Sequence, residues 1–246
     1  MQTPIFTTFS VERRRMLIEF AGLPGSGKTT LLKQLRRELE KRDVSVTDAN
    51  TIADKRSDDK NAPRFVRNKP HRNLLFRLTR FSAHYPEFFS KAEQSFEDAT
   101  VKKFLFFLFG AHFQMARDLQ RDDEMVFIDE GFLNHCVAIY PEKSQRADFR
   151  QLMNSAPKSD VLVYFDIPAE VAFDRAVQRR SDIDNARERV IEKFGDLDAF
   201  EERRGNFMAA LDIYKDQNAT VFHVAPEASL DQATTRLADQ LVALNG

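Results

Sequence analysis

The stretch FAGLPGSGKTTLLKQL, Phe20 to Leu35, decides the fold. Within it, Gly22-Leu-Pro-Gly-Ser-Gly27-Lys28-Thr29 meets the pattern G-x-x-x-x-G-K-[ST] at every fixed position. The context is right as well, with an apolar run before it and a helical pattern after it. Gly22, Gly25 and Gly27 let the backbone bend so that successive N–H groups, those of Ser26 and Thr30 included, point inward as an anion nest. The N-terminus of the following helix adds the positive end of its dipole. Lys28 brings a full charge against the outer phosphates, and the Thr29 hydroxyl is placed to ligate Mg2+. The ligand expected here is a nucleoside triphosphate.

The chain around this turn alternates strand and helix. Met16–Ala21, Val44–Thr47, Met125–Ile128, Val161–Asp166 and Thr220–Ala225 read as strands, most of them continuous apolar runs. Helices are expected at about 28–41, 73–82, 86–98, 100–120, 132–155, 169–180 and 230–244, with more helix in the charged stretch up to Tyr214. Continuous apolar strands between helices imply an α/β fold, a parallel sheet with both faces covered. In such sheets ligands sit at the carboxyl ends of the strands. The residues just after each strand are therefore the ones to read.

Composition narrows the alternatives. The chain has 246 residues, a net charge of -1 and a single cysteine, Cys136. There is no global positive field for nucleic acid and no internal disulfide, and the lone cysteine suits a reducing compartment. Cys136 itself reads as a small buried residue. Residues 1–16 lack the apolar core of a secretory signal. The most apolar run, Phe104–Met115, is too short to span a bilayer. The expectation is one cytoplasmic domain over residues 1–246, with no membrane association and room for a homodimer.

Three carboxylates follow strands. Asp129 comes directly after an apolar strand, where a P-loop protein carries its metal-organising carboxylate, and Glu130 is next to it. Asp48 ends the second strand on the same sheet edge, a place for a general base toward an acceptor hydroxyl.

The order of these motifs resembles the nucleoside and nucleotide kinase branch of P-loop proteins, and is most similar to thymidylate kinases and deoxynucleoside kinases. The P-loop is one match. VLVYFDIPAEVAFDRAVQRR, Val161 to Arg180, resembles their fourth strand, a Pro-x-Glu turn and a helix with Arg-x-x-x-Arg, here Arg175 and Arg179 with Arg180 adjacent. LDAFEERRGNFMAAL resembles the helix after the lid. VFHVAPEASLDQATTRLADQL resembles the last strand, the adenine-contacting loop at Ala225-Pro226 and the final helix. VFIDEGFLNH resembles the segment after the third strand, although Asp129-Glu130 stands where deoxynucleoside kinases have Glu-Arg. The resemblance implies a three-layer sandwich with a five-stranded parallel sheet, an ATP donor and Mg2+. It also implies a lid, about 180–198, that closes Arg175 and Arg179 over the transferring phosphate. That lid is highly charged, with little in it to anchor to a core, and is expected to be mobile.

The acceptor side is expected in an excursion over about 52–100. From Lys60 to Arg80 there are seven Lys or Arg and no Asp or Glu. A basic pocket there suits an anionic small molecule, and Arg64, Arg67, Arg72, Arg77 and Arg80 are its candidates. Either His112 or Gln114, on the long Phe-rich helix, is expected to face the acceptor. A nucleoside or nucleotide fits the resemblance best. A sugar or sugar phosphate, a nucleotide-gated switch without an acceptor, and a nucleic-acid-dependent enzyme are the competing classes.

Overall fold

The computed structural model describes residues 15–49, 70–94, 100–121, 124–129, 131–139, 146–181, 184–217, 219–225 and 229–246, with side chains undescribed at 70–75, 100–106, 108, 119, 139 and 146–147. Five strands form one parallel sheet: β1 Met16–Gly22, β2 Ser45–Asp48, β3 Glu124–Asp129, β4 Val161–Phe165 and β5 Thr220–Val224. Their order is β2-β3-β1-β4-β5. All seven residues of β1 and all five of β4 are buried, whereas the edge strands β2 and β5 are half-exposed. Central strands covered on both faces need apolar side chains at successive positions, as these carry.

Ten helices are described: α1 Lys28–Glu40, α2 Pro70–His84, α3 Pro86–Gln94, α4 Thr100–Leu119, α5 Phe132–Ile139, α6 Arg146–Ser155, α7 Ala169–Gln178, α8 Ala186–Phe194, α9 Leu197–Asp216 and α10 Leu230–Asn245. α1 packs on α10, while α9 packs on α5, α6 and α7. On α1 the leucines at 31, 32, 35 and 39 form the buried stripe. α2 lies along α4, and α4 packs on α5. Gly110 permits the close approach of α2, because a Cβ there would stand 2.6 Å from the Phe81 ring.

The expected strands are present with bounds shifted by a residue or so; Asp129 is the last residue of β3 rather than the first beyond it. The single helix expected over 132–155 is two helices, with residues 140–145 outside the described part. The lid segment is better anchored than its charge suggests. Val190 of α8 is fully buried, and Phe194, one turn later, packs on the core. Charge density hid an apolar pair spaced i, i+4.

Candidate functional site

The glycine-rich turn is built around α7. Gly25 has φ +82°, and a Cβ on it would lie 2.1 Å from the Ala172 carbonyl oxygen. Only glycine combines that left-handed backbone with that contact. Gly27, also left-handed, is the N-cap of α1, and its carbonyl accepts from the N–H groups of Thr30 and Leu31. The first turn of α1 carries no acidic residue, so its dipole end is left for an anion. Lys28 is buried, and its Nζ donates to Gly22 O at 2.8 Å and to Leu23 O at 3.0 Å. Gly22 N–H donates to Asn134 Oδ1 at 3.2 Å, and Asn134 Nδ2 donates to Phe20 O at 2.9 Å. Asn134 thus ties the first residue of the turn to α5.

Two hollows flank the turn on the side of α7. One is lined by Pro24–Thr29 together with Arg179, Arg180 and Phe194. The Arg180 guanidinium lies 5.4 Å from the centroid of the Phe194 ring. The other, about 390 Å³, lies between Gly25–Gly27, Thr30, Phe165, Arg175, Arg179, Ala225 and Leu230. Arg179 therefore borders both hollows, while Arg175 borders only the second. Pro226 lies outside the described residues.

A third cavity, also about 390 Å³, opens on the other side of the turn. Its polar end is formed by Thr29, Lys33, Arg36, Asp48 and Asp129, and its far end by Phe109, His112, Phe113, Phe132 and His135. The Phe109 and His135 rings stack, with centroids 3.3 Å apart and planes 15° from parallel. Thr29 belongs to both this cavity and the first hollow. Asp48 forms an ion pair with Arg36 of α1.

The magnesium ligands expected from sequence come together. Thr29 Oγ1 donates to Asp129 Oδ2 at 3.2 Å. Asp129 Oδ1 is buried with no hydrogen-bond partner among the described residues. A buried carboxylate oxygen without a donor fits a cation. One hydroxyl and one carboxylate also fit Mg2+, which keeps several waters and takes its other ligands from phosphates. Among the described residues there is no cluster of three or more His, Cys, Asp or Glu, so a cage made only of protein groups is not what these residues offer.

The basic run is placed differently from expectation. Arg77 is buried, and its Nη1 donates to Asp118 Oδ2 at 2.5 Å; Arg80 Nη1 lies 3.0 Å from the same oxygen. Gln114 Nε2 donates to Asp118 Oδ1 at 2.9 Å. Arg77, Arg80 and Gln114 thus join α2 to α4 through one carboxylate and do not line the cavity, whereas His112 does. A buried guanidinium needs a carboxylate, and Asp118 lies far enough along the sequence to have escaped the charge count. Arg64 and Arg67 lie outside the described residues, as does Glu130, and the side chain of Arg72 is not described. Arg36 was missed from sequence. Its signal is its spacing, seven residues after Thr29, which places it two turns along the same face of α1.

A buried acid braces the metal-side turn. Glu19, fully buried in β1, accepts from Leu133 N–H at 2.5 Å, in the first turn of α5, and from Ser159 Oγ at 3.4 Å. Gly131 packs directly on it: a Cβ at 131 would lie 2.2 Å from Glu19 Cγ. Burial raises the Glu19 carboxyl from 4.5 to about 7, against the opposing effect of the Leu133 and Ser159 hydrogen bonds. Cys136 is buried as expected, and burial holds its thiol well above its ordinary range.

The AAA domain family matches residues 17–203, a span that includes the turn, the Asp129 strand, α7 and the first part of α9. The chain belongs to the AAA domain family. The fold of this AAA domain is also that of a P-loop nucleotide kinase. Thymidylate kinase from Candida albicans superposes with a TM-score of 0.52 over 94% of this chain and 92% of its own, at 15% identity. No curated protein matches by sequence.

Proposed function

We propose that the protein is an ATP- and Mg2+-dependent phosphotransferase that moves the γ-phosphate of ATP to the hydroxyl of a small acceptor, a nucleoside or nucleotide. The observation that carries this reading is the place of Thr29 and Asp129. They lie in contact, between the glycine-rich turn on one side and a ligand-sized cavity on the other. A passive nucleotide switch has no need of that second cavity. The aromatic rings at its far end favour a flat heterocycle over a bare sugar. No helix among the described residues is long and apolar enough to cross a membrane.

In this reading the N–H groups of the turn and Lys28 bind the β- and γ-phosphates, and the base lies between α1, α10 and Phe165. Thr29 and Asp129 hold the Mg2+, which when bound offsets charge on the transferring group. Arg179 and Arg175 close on the phosphates as α7 and α8 settle. The acceptor hydroxyl, aligned in the third cavity, attacks the γ-phosphorus; the new O–P bond forms as the bond to the β-bridging oxygen breaks, and ADP leaves. Asp48 accepts the hydroxyl hydrogen bond and then its proton. Its contribution is modest, because phosphoryl transfer depends more on positioning and charge than on proton removal.

ADP release from Mg·ATP, measured with thymidine, thymidine monophosphate, glucose, glucose 6-phosphate and an oligonucleotide, tests the proposal. A rise with either of the first two is expected. Turnover that no small molecule raises, or that only the oligonucleotide raises, overturns it.

A further inference from the structure

β1 runs on past the end of its neighbour β3. Along their shared edge the last pair is Phe20 with Asp129, and Asp129 ends β3. β1 continues through Ala21 to Gly22, both buried. In a parallel ladder the next rung is one residue opposite Ala21. Its N–H donates to Phe20 O, and its carbonyl accepts from Gly22 N–H. Asn134 takes that rung with its side chain. Its Nδ2 donates to Phe20 O at 2.9 Å, and its Oδ1 accepts from Gly22 N–H at 3.2 Å. A carboxamide carries an N–H donor and a carbonyl acceptor, as a backbone residue does, so one side chain can replace one ladder residue. The rung matters because Gly22 opens the glycine-rich turn. It sits at φ +147°, where only glycine rests without strain, and a glycine left to itself is the loosest of residues. Its N–H is held by Asn134, while its carbonyl, on the other side of its Cα, accepts from Lys28 Nζ at 2.8 Å. Both peptide groups that flank Gly22 are thereby held.

Resting on the proposed function, we infer that Asn134 is a positioning residue for phosphate binding: its carboxamide stands in for a strand residue beyond Asp129, holds the Gly22 backbone and, through the Gly22 carbonyl, aims Lys28. It touches no ligand itself. Its own seat is firm, because it lies in the first turn of α5, where the Leu133 N–H donates to the buried Glu19 carboxylate. Its neighbours on α5, Phe132 and His135, line the third cavity. One short helix thus sets both the entry to the turn and part of the wall of that cavity.

The test follows Mg·AMP-PNP binding to the full chain by calorimetry, with urea unfolding run beside it to show that each variant is folded. Asn134→Ala should weaken binding about tenfold. A merely structural bond could cost affinity as well, so the deciding readout is a double-mutant cycle with Lys28. If Asn134 acts through Lys28, its loss should matter less than about threefold in a Lys28→Ala background, because contacts that share a partner are not additive. Asn134→Leu keeps nearly the same shape without either hydrogen bond, and it takes the place of the alanine variant in the cycle if that variant does not fold. Unchanged affinity in the folded variant overturns the inference. So does the same loss in both backgrounds, the mark of a structural bond only. Failure of the wild type to bind Mg·AMP-PNP would instead overturn the proposed function, and this inference with it.

Discussion

The two sides of the Thr29–Asp129 contact are built on different principles. On the side of the glycine-rich turn, the donor side under the proposed function, the groups offered to a ligand are mostly backbone. The turn's backbone is set by the left-handed Gly25, packed on the Ala172 carbonyl, and by the left-handed Gly27 that caps α1, while the N–H groups of Ser26 and Thr30 donate to Leu23 O and Gly27 O. On the side of the third cavity, the acceptor side under the proposed function, they are side chains, carried on helices held together by other side chains. Phe81, Phe88, Phe113 and Phe132 meet edge-on or tilted, and Asp118 gathers Arg77, Arg80 and Gln114. Backbone chemistry leaves a fixed pattern in the sequence, because few residues tolerate the required φ. Side-chain chemistry can be met by many arrangements, so the same function leaves no fixed spacing.

Four substitutions can sharpen or break that contrast. The largest effect should come from Asp118→Ala, which leaves the buried Arg77 guanidinium without this carboxylate. Removing one partner of a buried pair costs about 3–5 kcal/mol, so urea unfolding should show a loss of that order. A change under about 1 kcal/mol would show that α2 and α4 are joined by the aromatic cluster alone. Next comes Lys28→Ala. Loss of one preorganised cation should lower turnover about 10²–10³-fold while leaving the protein folded. Wild-type turnover in a folded variant would deny Lys28 its role.

Glu19→Gln tests the brace under the Asp129 turn. The wild-type carboxyl titrates near 7 when folded and near 4.5 when unfolded, so folding takes up a proton between these values. Wild-type stability should therefore be fully present below pH 4.5, fall through that window and level off above about 7. The loss at pH 8 is at most about 3 kcal/mol. The glutamine keeps an oxygen for Leu133 N–H without the buried charge. It should flatten this dependence and be the more stable form at pH 8 in urea melts at stepped pH. Equal pH slopes for the two proteins would show that Glu19 does not titrate in this range. The smallest effect is expected for Phe194→Ala. Loss of the ring under Arg180 should weaken Mg·ATP binding by less than about tenfold, and speed hydrogen exchange over Ala186–Phe194. Unchanged exchange there would mean that Val190 alone seats α8.

What the sequence made legible follows the same division. The five strands, α1 and the turn were readable because continuous apolar runs and a glycine pattern admit one local solution. The meeting of Thr29 and Asp129 was readable because the glycine-rich turn leaves the end of β1 and Asp129 ends the neighbouring β3 on the same sheet edge. Arg77 and Gln114 were not, since a run of like charge looks the same whether it faces solvent, ligand or a carboxylate some forty residues away. Arg36 was hidden among the other basic residues of α1, and its meaning depends on Asp48 reaching it from β2. The seating of α8 was hidden by the charges around Val190 and Phe194.

The most direct test of the central claim is a structure of the protein with Mg·AMP-PNP bound. Thr29 Oγ1 should ligate the ion directly, and Asp129 should reach it directly or through one water, with the third cavity opening beside the γ-phosphate. Asp129 turned away from the ion, or the γ-phosphate walled off from the Asp48 cavity, would contradict the account.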